Sequence, residues 1–340
     1  MAEPNGQAPL STRFIARHWL QDSWLSRALT PLGWLHGAVL AARRVAYRAG
    51  IFARHRLPVP VIVIGNFFVG GTGKTPLVIA LVDALRHAGY SPGVVSRAYG
   101  GTAQEPRAVR ADDEAAAVGD EPLLIAQRTS VPVWIGRQRA RVSQALLAAE
   151  RSVNVIVCDD GLQHLALSRD IEIAVFDGRG VGNGRLLPAG PLRERVRAVD
   201  AVVRNGGTRT PGEFAMTLAP AGFNRLGHGP VDASALEGLR VVGVAGIGNP
   251  ERFFRTLAEM DIELSRAVSF PDHHRFTLDD LRFADCDAIV MTEKDAVKCR
   301  TLGSPMPLYA LRVDAKLDAS FAVRIIQLLQ SVRAHGRASA

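Results

Sequence analysis

The chain has 340 residues, 47% of them hydrophobic, enough for one large domain or two, each with its own core. Its three cysteines, Cys158, Cys286 and Cys299, lie far apart without CxxC spacing, which argues against a disulfide framework or zinc site and for a reducing compartment. The net charge of +8 rests mostly on arginine and points to anionic lipid or a phosphorylated substrate; with 6% aromatic residues and no nucleic-acid-binding motif, nucleic acid is a weak reading.

Residues 1–10 read as a disordered start, and residues 1–58 as an N-terminal segment distinct from the remainder of the chain. Through residue 56 it carries eight arginines against two acids, Glu3 and Asp22. Between Arg27 and Arg43 lie 15 uncharged residues, fewer than the roughly 20 needed to span a bilayer. Trp19, Trp24 and Trp34 beside clustered arginine suit an interfacial helix on an anionic membrane surface. A core helix packed on the next domain is the competing reading.

Val61–Pro76 reads VIVIGNFFVGGTGKTP. The apolar, β-branched start predicts a buried strand, and Val78, Leu81, Val82 and Leu85 recur at helical spacing after it. Between them, Gly70, Gly71, Thr72, Gly73, Lys74, Thr75 and Pro76 form a phosphate-binding loop. Its backbone amides wrap a β-phosphate, its lysine reaches the β/γ oxygens and its hydroxyl holds Mg²⁺. Phe68 stands where the full pattern has glycine, and Val69 where the deviant G-G-x-G-K-T loop has lysine.

Segments 92–101, 131–136, 153–161, 171–178 and 201–206 read as strands separated by helical text, which predicts a mostly parallel α/β sheet with ligands at the carboxyl ends of its strands. A composition change over 207–238 places a boundary: a P-loop domain at 59–230, then a smaller α/β domain at 231–340. The smaller domain reads as strands 241–248, 263–270, 287–292 and 307–313, with helices at 250–260, 277–284 and 318–333.

Asp159 and Asp160 end an apolar strand, where an acid beside a P-loop is the expected second holder of Mg²⁺, unless it only caps a helix. Asp120, in Gly119-Asp120-Glu121-Pro122, is either a helix-capping acid or the base that accepts a hydroxyl proton. His273 and His274, in Phe270–Phe276, lie in a surface loop or polarise such a base across a cleft. Leu187–Glu194 reads as a rigid turn leading into a helix, with Arg193 either placed to meet phosphate or only part of a solvated helix start. Thr292–Lys298 is equally readable as a cap or as part of a site.

Taken in order, Gly65-Asn66 with GGTGKTP, SRAYGG, GDEP, DDGLQH, LLPAGPLRE, FPDHHRF and TEKDAVK resemble the tetraacyldisaccharide 4′-kinase (lipid A 4′-kinase) family over most of the chain. The family more often has S-R-G-Y-G where this chain has Ala98. The resemblance implies a P-loop NTPase-like kinase with a smaller α/β domain closing the cleft. It implies transfer of the ATP γ-phosphate to the 4′-hydroxyl of an acylated glucosamine disaccharide 1-phosphate, with Mg²⁺, at the cytoplasmic face of the bacterial inner membrane. By motif position Asp120 is the base, assisted by a histidine, His274 in preference to His273. Lys74 and Thr75 hold phosphate and metal, and Asp159, Asp160, Gln163, His164, Arg193 and Glu194 line the site. No obligate protein partner is evident. The competing class is a membrane-associated P-loop ATPase or GTPase switch; a soluble small-molecule kinase leaves the N-terminal helix unexplained.

Overall fold

The structure is a computed structural model and describes residues 17–97 and 105–338. The opening ten residues and the Ala98–Gly101 part of SRAYGG lie outside the described residues.

Helices α1 (Trp24–Ala28) and α2 (Thr30–Arg48) form an N-terminal arm. The P-loop half then alternates: β1 (Val61–Gly65), α3 (Lys74–His87), β2 (Pro92–Ser96), β3 (Arg107–Val109), α4 (Ala115–Val118), α5 (Asp120–Thr129), β4 (Val133–Ile135), α6 (Arg139–Ala149), β5 (Val155–Cys158), β6 (Ile171–Asp177) and β7 (Ala201–Asn205). The rest comprises β8 (Phe214–Arg225), β9 (Gly229–Val231), β10 (Val241–Ala245), α7 (Pro250–Glu259), β11 (Leu264–Ser269), β12 (Ala288–Thr292), α8 (Glu293–Cys299), β13 (Leu308–Leu317) and α9 (Ala319–Ala338).

All of these strands join one sheet, ordered β11-β10-β12-β13-β8-β7-β6-β1-β5-β2-β4-β3, with β9 beside β8. Strands β2, β5, β1, β6 and β7 run parallel, so their carboxyl ends share one edge. Both faces of this half are covered, as a parallel sheet requires. Ile62 and Ile64 enter the core on one face, Val61 and Val63 the core on the other, the alternation of a pleated strand. Val242 and Val244 are divided in the same way from Val241 and Ala245 in the second half.

The two halves are continuous through β8, which pairs parallel with β7 and antiparallel with β13 from Met216 opposite Leu317 to Arg225 opposite Tyr309. Pro220 and Gly222 weaken its strand signal, so the 207–238 stretch, which reads only as a composition change, holds the long central strand. α9 returns to the P-loop half: Phe321, Ile325 and Leu329, one helical turn apart, join the core that contains Leu77, Val78 and Leu81 of α3.

Two expected helices do not form. Of 277–284 only a 3₁₀ turn at Asp279–Leu281 exists, because the Asp280 carboxylate accepts bonds from Thr277 N (2.8 Å) and Thr277 Oγ1 (2.9 Å) and closes a local turn instead. The residues after Leu187–Glu194 run on without regular structure to β7. Their polar groups are taken by tertiary contacts: Arg193 N donates to Phe67 O and Arg197 bonds Glu172.

Candidate active site

The site gathers at the carboxyl edge of the parallel strands. β1 ends at Gly65, and the chain turns through the glycine loop into the N-terminus of α3. Gly73 takes a left-handed φ of 89°, and a Cβ there would sit 2.5 Å from Asn205 Nδ2, so glycine is required on both counts. Asn66 Nδ2 ties the loop from inside, donating to Gly70 O at 3.1 Å and Thr72 Oγ1 at 3.3 Å, and Asn205 Nδ2 donates to Thr72 O at 3.2 Å. Phe68, the missing glycine, is 4% exposed. Its ring carries the Arg179 guanidinium at 4.5 Å, and the next amide, Val69 N, donates to Pro191 O. The departure from the P-loop pattern thus anchors the loop to the Leu187–Glu194 segment.

Lys74 Nζ lies 3.4 Å from Asp160 Oδ1, and Arg193 Nη1 lies 3.1 Å from Asp160 Oδ2. Burial alone would raise the Asp160 carboxyl, but these two cations outweigh it and hold it below the ordinary value. Asp159 is 1% exposed. Its Oδ2 accepts from Ser96 Oγ at 3.0 Å, while Oδ1 has no partner. Burial first, then the charges of Glu121 and Asp160, push its pKa up to about 6. Among the described residues no three protein ligands converge as a complete metal cage. Nucleotide-bound Mg²⁺ needs only one or two carboxylates, with phosphates and water completing its shell. The bare Oδ1 of Asp159, with Asp160 and the Thr75 hydroxyl in the first turn of α3, fits that donor set.

Asp120 opens α5 and is 6% exposed. His273 Nδ1 meets its Oδ2 at 3.0 Å across the two halves. Lys294 stands 3.9 Å from Asp120 and bonds Glu121 at 3.1 Å and Asp272 at 3.3 Å. Burial acts to raise the Asp120 carboxyl, but the hydrogen bond from His273 and the charge of Lys294 more than offset it, so it stays below the ordinary value. His273 is shifted upward, chiefly by that same bond. Of the two histidines it is His273, not the preferred His274, that meets Asp120. His274 stacks on Phe270 at 4.5 Å, meets the edge of Phe276 and bonds Asp280 at 3.1 Å. That slot fixes His274 inside the second half, and the left-handed backbone of His273 (φ 61°) turns it to Asp120.

Gln163 Nε2 donates to Asn66 O at 3.1 Å and Glu194 Oε1 at 2.8 Å. Glu194, 4% exposed, also takes Arg44 of α2, and His36 Nε2 lies 3.1 Å from Arg193 O. His164 is half-buried, and burial with Arg139, Arg97 and Arg43 nearby pulls its pKa down to about 4, leaving it neutral at pH 7. Asn66, Ser96 and Lys294 lie inside the sequence motifs without a role of their own there, and two contributors escape sequence reading: Asn205 and Arg179, which donates to Gly71 O at 2.9 Å while chelated by Asp177. A strand tip reading Asp177-Gly178-Arg179, beside a P-loop in a parallel sheet, is the signal that finds the last of these.

A model of the tetraacyldisaccharide-1-P 4′-kinase family matches residues 25–330. The chain is 47% identical to a tetraacyldisaccharide 4′-kinase of Dechloromonas aromatica, over 92% of this chain and 97% of that one. It is 47% identical to the enzyme of the same name from Tolumonas auensis, over 95% and 99%. A crystal structure of LpxK from Aquifex aeolicus, described as an "apo" form in complex with ATP, superposes with a TM-score of 0.77 at 28% identity, covering 90% of this chain and 99% of that one. Motif order, fold and whole-length similarity therefore agree, and the chain belongs to the tetraacyldisaccharide-1-phosphate 4′-kinase family.

Proposed function

We propose that the protein transfers the γ-phosphate of ATP to the 4′-hydroxyl of a tetraacylated glucosamine disaccharide 1-phosphate, a step of lipid A biosynthesis. The observation that carries this reading is the Asp120–His273 bond joining the two halves, with Glu121 close enough to bear on the P-loop acid Asp159. The glycine loop and Lys74 hold the phosphates, and Lys74 and Arg193 exchange Asp160 for the transferring group. Asp120 accepts the hydroxyl proton as the substrate oxygen bonds to the γ-phosphorus and the bond to the β-phosphate oxygen breaks. His273 keeps its Nδ1 proton on the carboxylate and orients it. Asp159, Asp160 and Thr75 would hold Mg²⁺, which neutralises charge on the phosphates when bound. Gln163, Arg193 and Glu194 line the acceptor side, and the 231–340 unit closes over it.

Purified protein with ATP, Mg²⁺ and the disaccharide 1-phosphate is expected to yield a doubly phosphorylated lipid. Nucleotide hydrolysis indifferent to the lipid, with no new lipid product, would instead mark a nucleotide switch.

The substrate's acyl chains stay in the bilayer, so the enzyme works at the cytoplasmic face of the inner membrane, where ATP is present. α2 supports this. Gly33 lies against Leu186 O, where a Cβ would stand 3.1 Å away, and with His36, Gly37 and Arg44 it forms the face packed on the active-site segment. On the opposite face Leu32, Trp34, Leu35, Val39 and Val45 are 52–69% exposed. No helix among the described residues is long and apolar enough to cross a membrane, so this face suits the interface plane. The double substitution Trp34→Ser/Leu35→Ser is expected to weaken sedimentation with vesicles by at least about tenfold; unchanged sedimentation would refute the interfacial helix. Deleting α2 is a poorer test, because it also removes His36 and Arg44 from the active site.

A further inference from the structure

We propose that an arginine-lined cavity at the foot of α2 binds the headgroup phosphate of an anionic phospholipid. The cavity has a volume of about 420 Å³ and lies between the last turn of α2, the 54–56 stretch and the segment leading into β6. Arg44, Arg48, Arg54, Arg56, Arg169 and Arg197 line it, with Glu172 the one acid among them. Nothing from the glycine loop, and neither Asp120 nor Asp160, contributes to its wall.

The charges do not balance. Glu172 is shared by Arg169 (3.1 Å) and Arg197 (2.7 Å). Arg44 is taken by Glu194, and Arg56 stands 3.9 Å from Asp170. Among the described residues no carboxylate lies within salt-bridge distance of Arg48 or Arg54; Arg54 only overhangs the Tyr47 ring at 5.9 Å. Gathering guanidinium groups without matching acids is unfavourable unless an anion joins them, and planar guanidinium forks suit phosphate oxygens.

The surroundings select a lipid as the bearer of that phosphate. Ile51 and Phe52, between Arg48 and Arg54 in the chain, are 72% and 47% exposed. Phe52 packs on the Tyr47 ring at 5.2 Å, at the end of α2, so the inference rests on the reading of α2 as an interfacial helix. Acyl chains beside Ile51 and Phe52 bring their phosphate to the cavity mouth. The reacting centre lies elsewhere: Glu172 is the second residue of β6, whose other end, Asp177, reaches the glycine loop through Arg179. That separation is about 17 Å of strand. Arg44 of this wall also reaches Glu194 of the active site, so it is the exposed apolar residues beside the cavity, Ile51 and Phe52, that favour a phospholipid headgroup over the substrate's own phosphate.

The test uses the full-length protein and vesicles of phosphatidylcholine with or without phosphatidylglycerol. The Arg48→Gln/Arg54→Gln variant is expected to lose most of the gain that phosphatidylglycerol confers, roughly 30-fold at low salt, and to bind phosphatidylcholine vesicles as before. Arg48→Lys/Arg54→Lys retains most of the gain, and Arg252→Gln/Arg324→Gln, which removes two exposed arginines elsewhere, changes it by less than about threefold. An equal loss from the Arg252/Arg324 pair means a diffuse field and overturns the site, as does normal phosphatidylglycerol binding by Arg48→Gln/Arg54→Gln. A raised KM for the disaccharide in nonionic micelles free of phospholipid reassigns the cavity to the substrate and overturns the proposal too. Wild-type protein that binds neither vesicle sinks the membrane reading and this inference together, whereas the other outcomes leave the membrane reading standing.

Discussion

Asp120→Ala lowers kcat/KM by about 10²–10⁴-fold, the range for loss of a positioned general base. The position is demanding. Asp120 starts α5, is nearly buried, and its Oδ2 is held at 3.0 Å by His273 of the other half. Alanine removes the proposed proton acceptor and also the anchor of His273 and one of the acids around Lys294. Asp120→Asn keeps the volume but not the basicity, so an equal loss in both variants assigns the effect to proton transfer. Near-normal turnover of either removes Asp120 from that role. The pH dependence supplies a second readout. Without His273, the burial of Asp120 is offset only by the charges of Lys294 and Lys298, so its pKa rises. The acid limb of kcat/KM in His273→Ala is expected to move to higher pH, whereas the same substitution at His274, which bonds Asp280, leaves that limb in place. The contact between the halves follows the same signs. The contribution of Asp120, whose pKa is depressed on folding, is present above its unfolded value near 3.9 and lost as pH falls through the lower folded value. The contribution of His273, raised on folding, is present below about 6.5 and lost as pH rises through its higher folded value.

Lys74→Ala lowers kcat by about 10²–10³-fold, the cost of removing one preorganised group from developing charge. Lys74 is the one lysine of the glycine loop, and its ammonium already faces an acid, Asp160, at 3.4 Å. Removing it has two consequences: the phosphates lose a cation, and Asp160 keeps only Arg193. Because Lys74 is among the cations that hold Asp160 down, the substitution also raises the Asp160 pKa. Binding of ATP at raised pH is therefore expected to be less impaired than turnover, and equal losses in both would limit Lys74 to ground-state binding.

Much of this site is legible in the sequence because it is built from local patterns. A run of β-branched residues, then glycines, Lys-Thr and a helical repeat determine strand, loop and helix with few alternatives, since φ above zero at Gly73 and the unpaired amides at the start of α3 are properties of a few consecutive residues. Acids at strand tips are equally readable, because a parallel sheet brings its carboxyl ends to one edge. The choice between His273 and His274 is not local. It depends on Phe270, Phe276 and Asp280 enclosing one ring and on a left-handed residue turning the other toward Asp120, 153 positions away in the chain.

The same division runs through the fold. By itself the sequence determined the order of strands and helices in the P-loop half, the glycine loop and the acids that face it, because hydrophobic period and turn chemistry act over a few residues. Only the tertiary structure decided that Phe214–Arg225 is a central strand, since Pro220 and Gly222 mute its signal until β7 and β13 supply partners on both sides. It also decided that α9 packs on α3, and that α2 reaches Arg193 and Glu194. These outcomes depend on partners far along the chain, whose burial and hydrogen bonding outweigh the weak local preferences of the residues concerned. The meaning of Phe68 changed for that reason: a fault in the loop pattern when read along the chain, it is in space the buried ring that carries Arg179 beside the glycine loop.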